Sequence, residues 1–272
     1  MAIPIHKTGL NKTLGQKGPT IYSTDLTGNF VPSQGIASSS WTNQVGGGGG
    51  GEEGGTALRR YNGITYNSSS PENFEFDGTN DYLGQASGGY GGTAFTVAFQ
   101  NAYTIGQWVY LPNTWSSGKK HFFFYFYHGG SDHVMVQIDG ATVKLHSYTS
   151  SGNLANISFT PSGPSMITNK NKWLYHTITH NGSGAYRYYI NGSFVGLTST
   201  SAPSATAQPM EVGHYLDQEG EGDPVDEYTS AGVKLGNIHV YSSALTNSQI
   251  RQNYVAIQSP TNTRLYGETA LA

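Results

Sequence analysis

Residues 172–196 read KWLYHTITHNGSGAYRYYINGSFVG, and the way this stretch folds decides the fold of the chain. Tyr175, Thr177 and Thr179 alternate with His176, Ile178 and His180. Successive side chains of a strand point to opposite faces, so each set falls on its own side of an extended chain. β-Branched and aromatic residues crowd the run and favour a pleated surface over a helix. Asn191-Gly192 then follows the alternating AYRYYI and leads into SFVG. A two-residue hairpin of type I′ needs positive φ at both central positions, and Asn-Gly supplies it at low cost. The stretch is therefore read as antiparallel strands joined by a tight turn.

The same pattern recurs outward from it. FTVAF (95–99), YTIGQWVYL (103–111), HVMVQID (133–139), TVKLHSY (142–148), NISFT (156–160) and KLGNIHVY (234–241) are short aromatic or β-branched runs bounded by Gly, Asn, Asp, Ser or Pro. Strands at such regular spacing indicate a sandwich or barrel. HFFFYFY (121–127) breaks the alternation, which implies burial on both faces or a contact between copies of the chain in a homo-oligomer. One helix is expected late, in ALTNSQIRQNY (244–254): Thr246 caps it, Gln249 returns the bond, and Leu245 staples onto Ile250. This short helix is expected at the rim of the sheets.

Residues 1–20 have no repeating apolar face and carry Lys7, Lys12 and Lys17 among Gly, Thr and Pro, so they read as an extended arm that anchors to a partner. The Gly46–Gly51 run reads as a flexible loop, because every glycine is costly to order. The division expected is an arm at 1–20, one domain at 21–258 and a tail at 259–272.

Composition limits the function classes. Net charge is −3 and only 11% of residues are charged, so no overall field recruits nucleic acid or an anionic membrane. No cysteine occurs, which excludes disulfides and thiolate metal sites. MAIPIHKTGLNK at the start lacks the apolar core of a signal peptide, and no stretch approaches about 18 apolar residues. The expectation is a protein made in a host cytoplasm, with no membrane insertion, and carried in a particle. Sequons at Asn11, Asn67, Asn156, Asn181 and Asn191 are read as ordinary polar turns.

In order, SSSWTNQVGG (38–47), NGITYNSSSPENFEFDGTNDYLG (62–84), YTIGQWVYLP (103–112), the stretch quoted first, MEVGHY (210–215) and GVKLGNIHVYSSALTNSQIRQNY (232–254) resemble the laminin G-like branch of the concanavalin A-like lectin/glucanase superfamily, in the versions carried by phage and bacterial surface proteins. The resemblance implies an all-β, two-sheet antiparallel jelly-roll sandwich, in agreement with the strand reading. It also implies that Phe74, Phe76 and Tyr82 serve core and hairpin around a turn at Gly78. Asp77 and Asp81 then hydrogen-bond turn amides.

Glucanases of the superfamily carry E-x-D-x-x-E, whereas here Glu75-Phe76-Asp77 is followed by Asn80 where the third acid belongs. Retaining hydrolysis needs two carboxyl groups about 5 Å apart. With no G-x-S-x-G elbow and no H-E-x-x-H either, the chain is read as a non-enzyme. Calcium, which many relatives bind, is the one cofactor considered. Asp77 and Asp81 are its candidate ligands, and DQEGEGDPVDE (217–227) is a second acidic segment. Against it, the acid of the family's late strand is replaced by the run Gly236-Asn237-Ile238-His239. For sugar or protein binding, the loop aromatics Trp115, Tyr90 and Tyr215 are the candidates, as exposed rings offer rigid contact area. The functional expectation is a virion structural protein, on capsid, tail or fibre, displaying a lectin-like jelly roll for attachment or reinforcement. Its expected partners are other virion proteins. The alternative is a module that binds a host surface glycan.

Overall fold

A computed structural model describes residues 21–32, 36–37, 40–42, 57–69, 71–85, 101–128, 132–149, 152–160, 170–199, 210–217 and 225–257. The Lys7, Lys12 and Lys17 arm, the 46–51 glycine run, Tyr90, FTVAF (95–99), residues 218–224 of the acidic segment and the 259–272 tail lie outside the described residues.

The described chain forms two large antiparallel sheets packed as a jelly-roll-like sandwich. The first sheet runs from edge to edge as β14 (Ser193–Ser199), β13 (Ala185–Ile190), β12 (Lys172–Asn181), β7 (Ala102–Leu111), β18 (Lys234–Tyr241), β5 (Asn73–Glu75) and β4 (Thr65–Asn67), with β1 (Leu26–Phe30) also paired to β18. The second runs β11 (Gly152–Phe159), β10 (Thr142–Thr149), β9 (Asp132–Asp139), β8 (Lys120–His128), β15 (Met210–Val212), β6 (Tyr82–Gln85), β3 (Ala57–Tyr61) and β2 (Ser40–Thr42). A separate hairpin, β16 (His214–Asp217) and β17 (Val225–Tyr228), lies against β8, and a single helix, α1 (Asn247–Ile257), ends the described chain.

The stretch quoted first behaves as read. His176–His180 pairs with Ile190–Tyr186, and Asn191 (φ 51°) and Gly192 (φ 74°) make the turn, both in the left-handed region that such a hairpin demands. Ile105, Val109, Leu111, Leu174 and Ile178 of the first sheet meet Leu83, Phe123, Phe124, Phe126, Val134, Val136 and Ile138 of the second in one core.

Both sheets are also covered on their outer faces, which explains strands that lack clean alternation. On the first, Trp108, Trp173 and Tyr175 pack with Ile21 and Tyr254, while Tyr189 and Tyr241 pack with Leu245 and Ile250. The helix therefore lies on the face of this sheet, not at its rim: a row of outward rings needs cover more than an edge does. Its cap is as read, with Thr246 N–H donating to Gln249 Oε1 (2.7 Å) and Gln249 N–H to Thr246 Oγ1 (3.4 Å). On the second sheet, Phe122 and Tyr125 of the aromatic strand, with Met135, are covered by Tyr215 of the small hairpin. Both faces of the strand are thus buried within one chain, and burial does not require a second copy.

Candidate functional site

The acids of FEFDGTNDYLG hold their own turn. Asp77 Oδ1 accepts the amides of Thr79 (2.7 Å) and Asn80 (3.4 Å), and Asp81 Oδ2 accepts the amide of Asp77 (2.9 Å). Asp81 is buried, which raises its carboxyl above the usual range; the Asp77 amide opposes this and the Asp77 charge adds to it. Calcium takes six to eight oxygens; of these two acids Asp81 is buried and Asp77 alone stands at the surface. Among the described residues no three His, Cys, Asp or Glu converge on a metal position.

Glu75 is held apart from that turn, its Oε2 accepting from Asn67 Nδ2 (3.1 Å) and pairing with Lys234 Nζ (3.1 Å). The sequence pair Glu75 and Asp77 is thus split between a ladder ion pair and a turn.

Two of the three candidate aromatics need correction. Trp115 is fully buried in the core and its Nε1 donates to Gly140 O (2.8 Å), so it offers no ring face. Its loop, after β7, folds inward because the indole is too large an apolar surface to leave in water. Tyr215 is also buried: it stacks on Phe122 (5.9 Å between centroids, 21°) and meets Tyr125 edge-on (5.2 Å, 86°). It anchors the hairpin to the sheet and does not face solvent.

The fold instead assembles a column of rings on the outer face of the second sheet. Leu83 belongs to the core, so Tyr82 and Gly84 beside it point outward. Tyr61 stands opposite Tyr82 in the β3–β6 ladder, their rings stacked at 4.3 Å and 6°. Tyr82 meets His214 at 4.8 Å and 31°, and His214 stacks on its ladder partner Tyr228 at 5.0 Å and 28°. Tyr61, Tyr82 and Tyr228 are half-buried, whereas His214 between them is nearly enclosed. Glu211, half-buried beside the column, places Oε2 2.7 Å from His214 Nδ1.

Two glycines make the column possible. A Cβ on Gly84 would lie 3.3 Å from both Tyr61 Cε2 and Tyr82 Cε2 and 3.4 Å from Glu211 Cγ, so the rings close over bare backbone. Gly213 (φ +92°) turns the chain out of β15 into the hairpin at a point where a Cβ would strike Phe76 Cε1 at 2.3 Å. Its amide donates to Phe122 O (2.9 Å) and its carbonyl accepts from Thr229 N–H (2.8 Å), which fixes the hairpin that carries His214 and Tyr228.

Sequence reasoning missed Tyr61, Glu211, His214 and Tyr228 as a group and placed Tyr82, with Phe74 and Phe76, in service of core and hairpin. The parity of Tyr82, Leu83 and Gly84 signals an outward ring; nothing local signals that β16 and β17 fold back to meet it. Chemically, the column brings together three phenols, one imidazole and one carboxylate. These are groups for stacking and hydrogen bonding, with rigid rings that lose little entropy on contact.

Two sheets closed on an aromatic core, with a ring column on one outer face, define a lectin-like jelly roll. Residues 77–251 match the family model described as Concanavalin A-like lectin/glucanases superfamily, of the laminin G kind, and the chain belongs to this family. No curated protein matches the sequence. Among solved structures, the receptor binding domain of botulinum neurotoxin D is similar at 12% identity and a TM-score of 0.58, over 85% of this chain and 52% of that one. The binding domain of botulinum neurotoxin DC in complex with SialylT matches at 12% identity and 0.60, over 87% and 52%. The same binding domain in complex with rat synaptotagmin II matches at 13% identity and 0.61, again over 87% and 52%. The chain spans about half the length of these domains, and at such identities the likeness is one of fold.

Proposed function

We propose that this domain is a non-enzymatic attachment module that binds a host surface glycan through the Tyr61–Tyr82–His214–Tyr228 column, and that it is displayed on a virion as part of a capsid, tail or fibre. The observation that carries the glycan reading is the column itself, three half-buried tyrosines stacked with His214 on the outer face of the second sheet and the Glu211 carboxylate alongside. Flat ring faces suit the C–H faces of sugars, and a carboxylate suits their hydroxyls. A domain of the same fold in complex with SialylT supports the reading. The virion setting rests on the phage-type resemblance of the sequence.

A glycan array followed by calorimetry on the best ligand tests the binding. Tyr61→Ala and Tyr82→Ala should each weaken it about tenfold, the ~1.4 kcal/mol expected of an interface aromatic. Arg251→Ala, an exposed change on the helix, should leave it unchanged. Binding to no glycan, or equal binding by the tyrosine variants, counts against the column. Mass spectrometry of purified particles and the presence of capsid, portal or tail genes beside this one test the setting.

A further inference from the structure

The core contains a polar centre that the attachment reading does not use. His121 of β8 reaches in from the second sheet, and His176 of β12 and Gln107 of β7 from the first; all three are fully buried. His176 and Gln107 are direct ladder partners, and Gln107 Nε2 donates to Phe123 O (2.6 Å), crossing to β8 two residues from His121. The Phe123 ring meets both imidazoles edge-on, at 6.5 Å and 75° for His121 and 6.3 Å and 71° for His176. Within this knot His121 Nε2, His176 Nε2 and Gln107 Oε1 have no hydrogen-bond partner among the described residues. Leaving such groups unpaired in a dry interior is unfavourable.

The other bonds fix what these atoms offer. Thr229 Oγ1 accepts the Phe122 amide (3.1 Å), so its own proton is free for His121 Nδ1 (3.2 Å). The buried Tyr188 hydroxyl likewise finds its acceptor in His176 Nδ1. With each Nδ1 accepting from its hydroxyl, the one proton of each neutral ring sits on Nε2, and this tautomer is part of the proposal. Gln107, with its amide nitrogen bound to Phe123 O, presents its oxygen. Two donors and one acceptor are the complement of a water molecule, which accepts two hydrogen bonds and donates two. A cation does not fit, because the two imidazole nitrogens turn N–H groups inward and no carboxylate or thiolate offsets the charge.

We propose that the sandwich holds one enclosed water between its sheets, bound by His121 Nε2–H, His176 Nε2–H and Gln107 Oε1, and bridging the sheets at that point. A high-resolution crystal structure of the native protein, with long-range ¹H–¹⁵N spectra of its histidines, tests this. The expected result is a density peak about 2.7–3.2 Å from all three atoms, with both histidines as Nε2–H tautomers that show exchange contacts to a bound water. A δ tautomer at either ring, side chains turned to bond one another with no peak, or a peak at about 2.0–2.1 Å with metal anomalous signal each overturns it.

Discussion

Acid should unfold this protein through its interior histidines. Burial holds His121 and His176 down to about 3 and His239 down to about 4, and a charge on His176 would add to the effect at His121. Burial also lowers His180, partly opposed by its bond to Asn101 O (2.9 Å). In the unfolded chain each would titrate near 6.5. Between those values the unfolded state binds more protons than the folded one, so stability falls as pH falls. The contribution is fully present above pH 6.5 and is lost on the way down to about 4 or 3. Each histidine contributes about 1.4 kcal/mol per pH unit in that window, so His121, His176 and His239 together cost about 6 kcal/mol by pH 5 and about 10 by pH 4. A domain has about 5–15 kcal/mol in total, and one with about 6–10 kcal/mol would unfold between about pH 5 and 4. Asp81 has the opposite sign: its raised carboxyl favours the folded state at low pH and slightly offsets the loss.

Urea titrations from pH 7.5 to 4.5, followed by tryptophan fluorescence and far-UV circular dichroism, measure this directly. The unfolding free energy should fall with a slope of about 4 kcal/mol per pH unit, three protons' worth, below pH 6. His239→Gln should flatten the slope by about one proton whatever it does to stability at neutral pH. A free energy that is level from pH 7 to 5, or a slope that the variant leaves unchanged, would refute the assignment of these rings as buried and neutral.

Other changes have separate readouts. In Gly106→Ala the new Cβ would lie 2.2 Å from Tyr175 Oη, which is held at 3.0 Å by His239 Nδ1, so the substitution should cost about 3 kcal/mol and lower the melting temperature by roughly 10 °C in calorimetry. Thr246→Ala removes the helix cap and should cost about 1 kcal/mol, read as a lower urea midpoint at unchanged slope.

The strands were legible because each is a local pattern. The Asn191-Gly192 turn, the alternation of 172–180 and the Thr246/Gln249 cap are written in adjacent residues and appear where read. The site was not legible, for a physical reason. Tyr61, Tyr82, His214 and Tyr228 meet only through β3–β6 register and the fold-back of β16 and β17 after Gly213, contacts set by tertiary packing. Trp115 and Tyr215 misled because a loop ring looks alike in sequence whether it faces solvent or plugs the core. The neighbours that bury them, Gly140 O for one and Phe122 for the other, are remote in sequence.

The two outer faces differ in a way that explains where the column stands. The outward rings of the first sheet are closed over by α1 and residues 21–26, tied down by Asn253: its Oδ1 accepts the Tyr22 amide (2.6 Å) and its Nδ2 donates to Tyr241 Oη (2.9 Å). Among the described residues, the second sheet has a hairpin of two four-residue strands as cover. Such a hairpin is marginal alone and is stable only by what it packs on. Tyr215 supplies that packing over Phe122 and Tyr125, which leaves His214 and Tyr228 at its margin to meet Tyr82 and Tyr61. Half the column is thus fixed in the sheet and half rides on the hairpin, so the ring contact of Tyr82 with His214 is what joins the two.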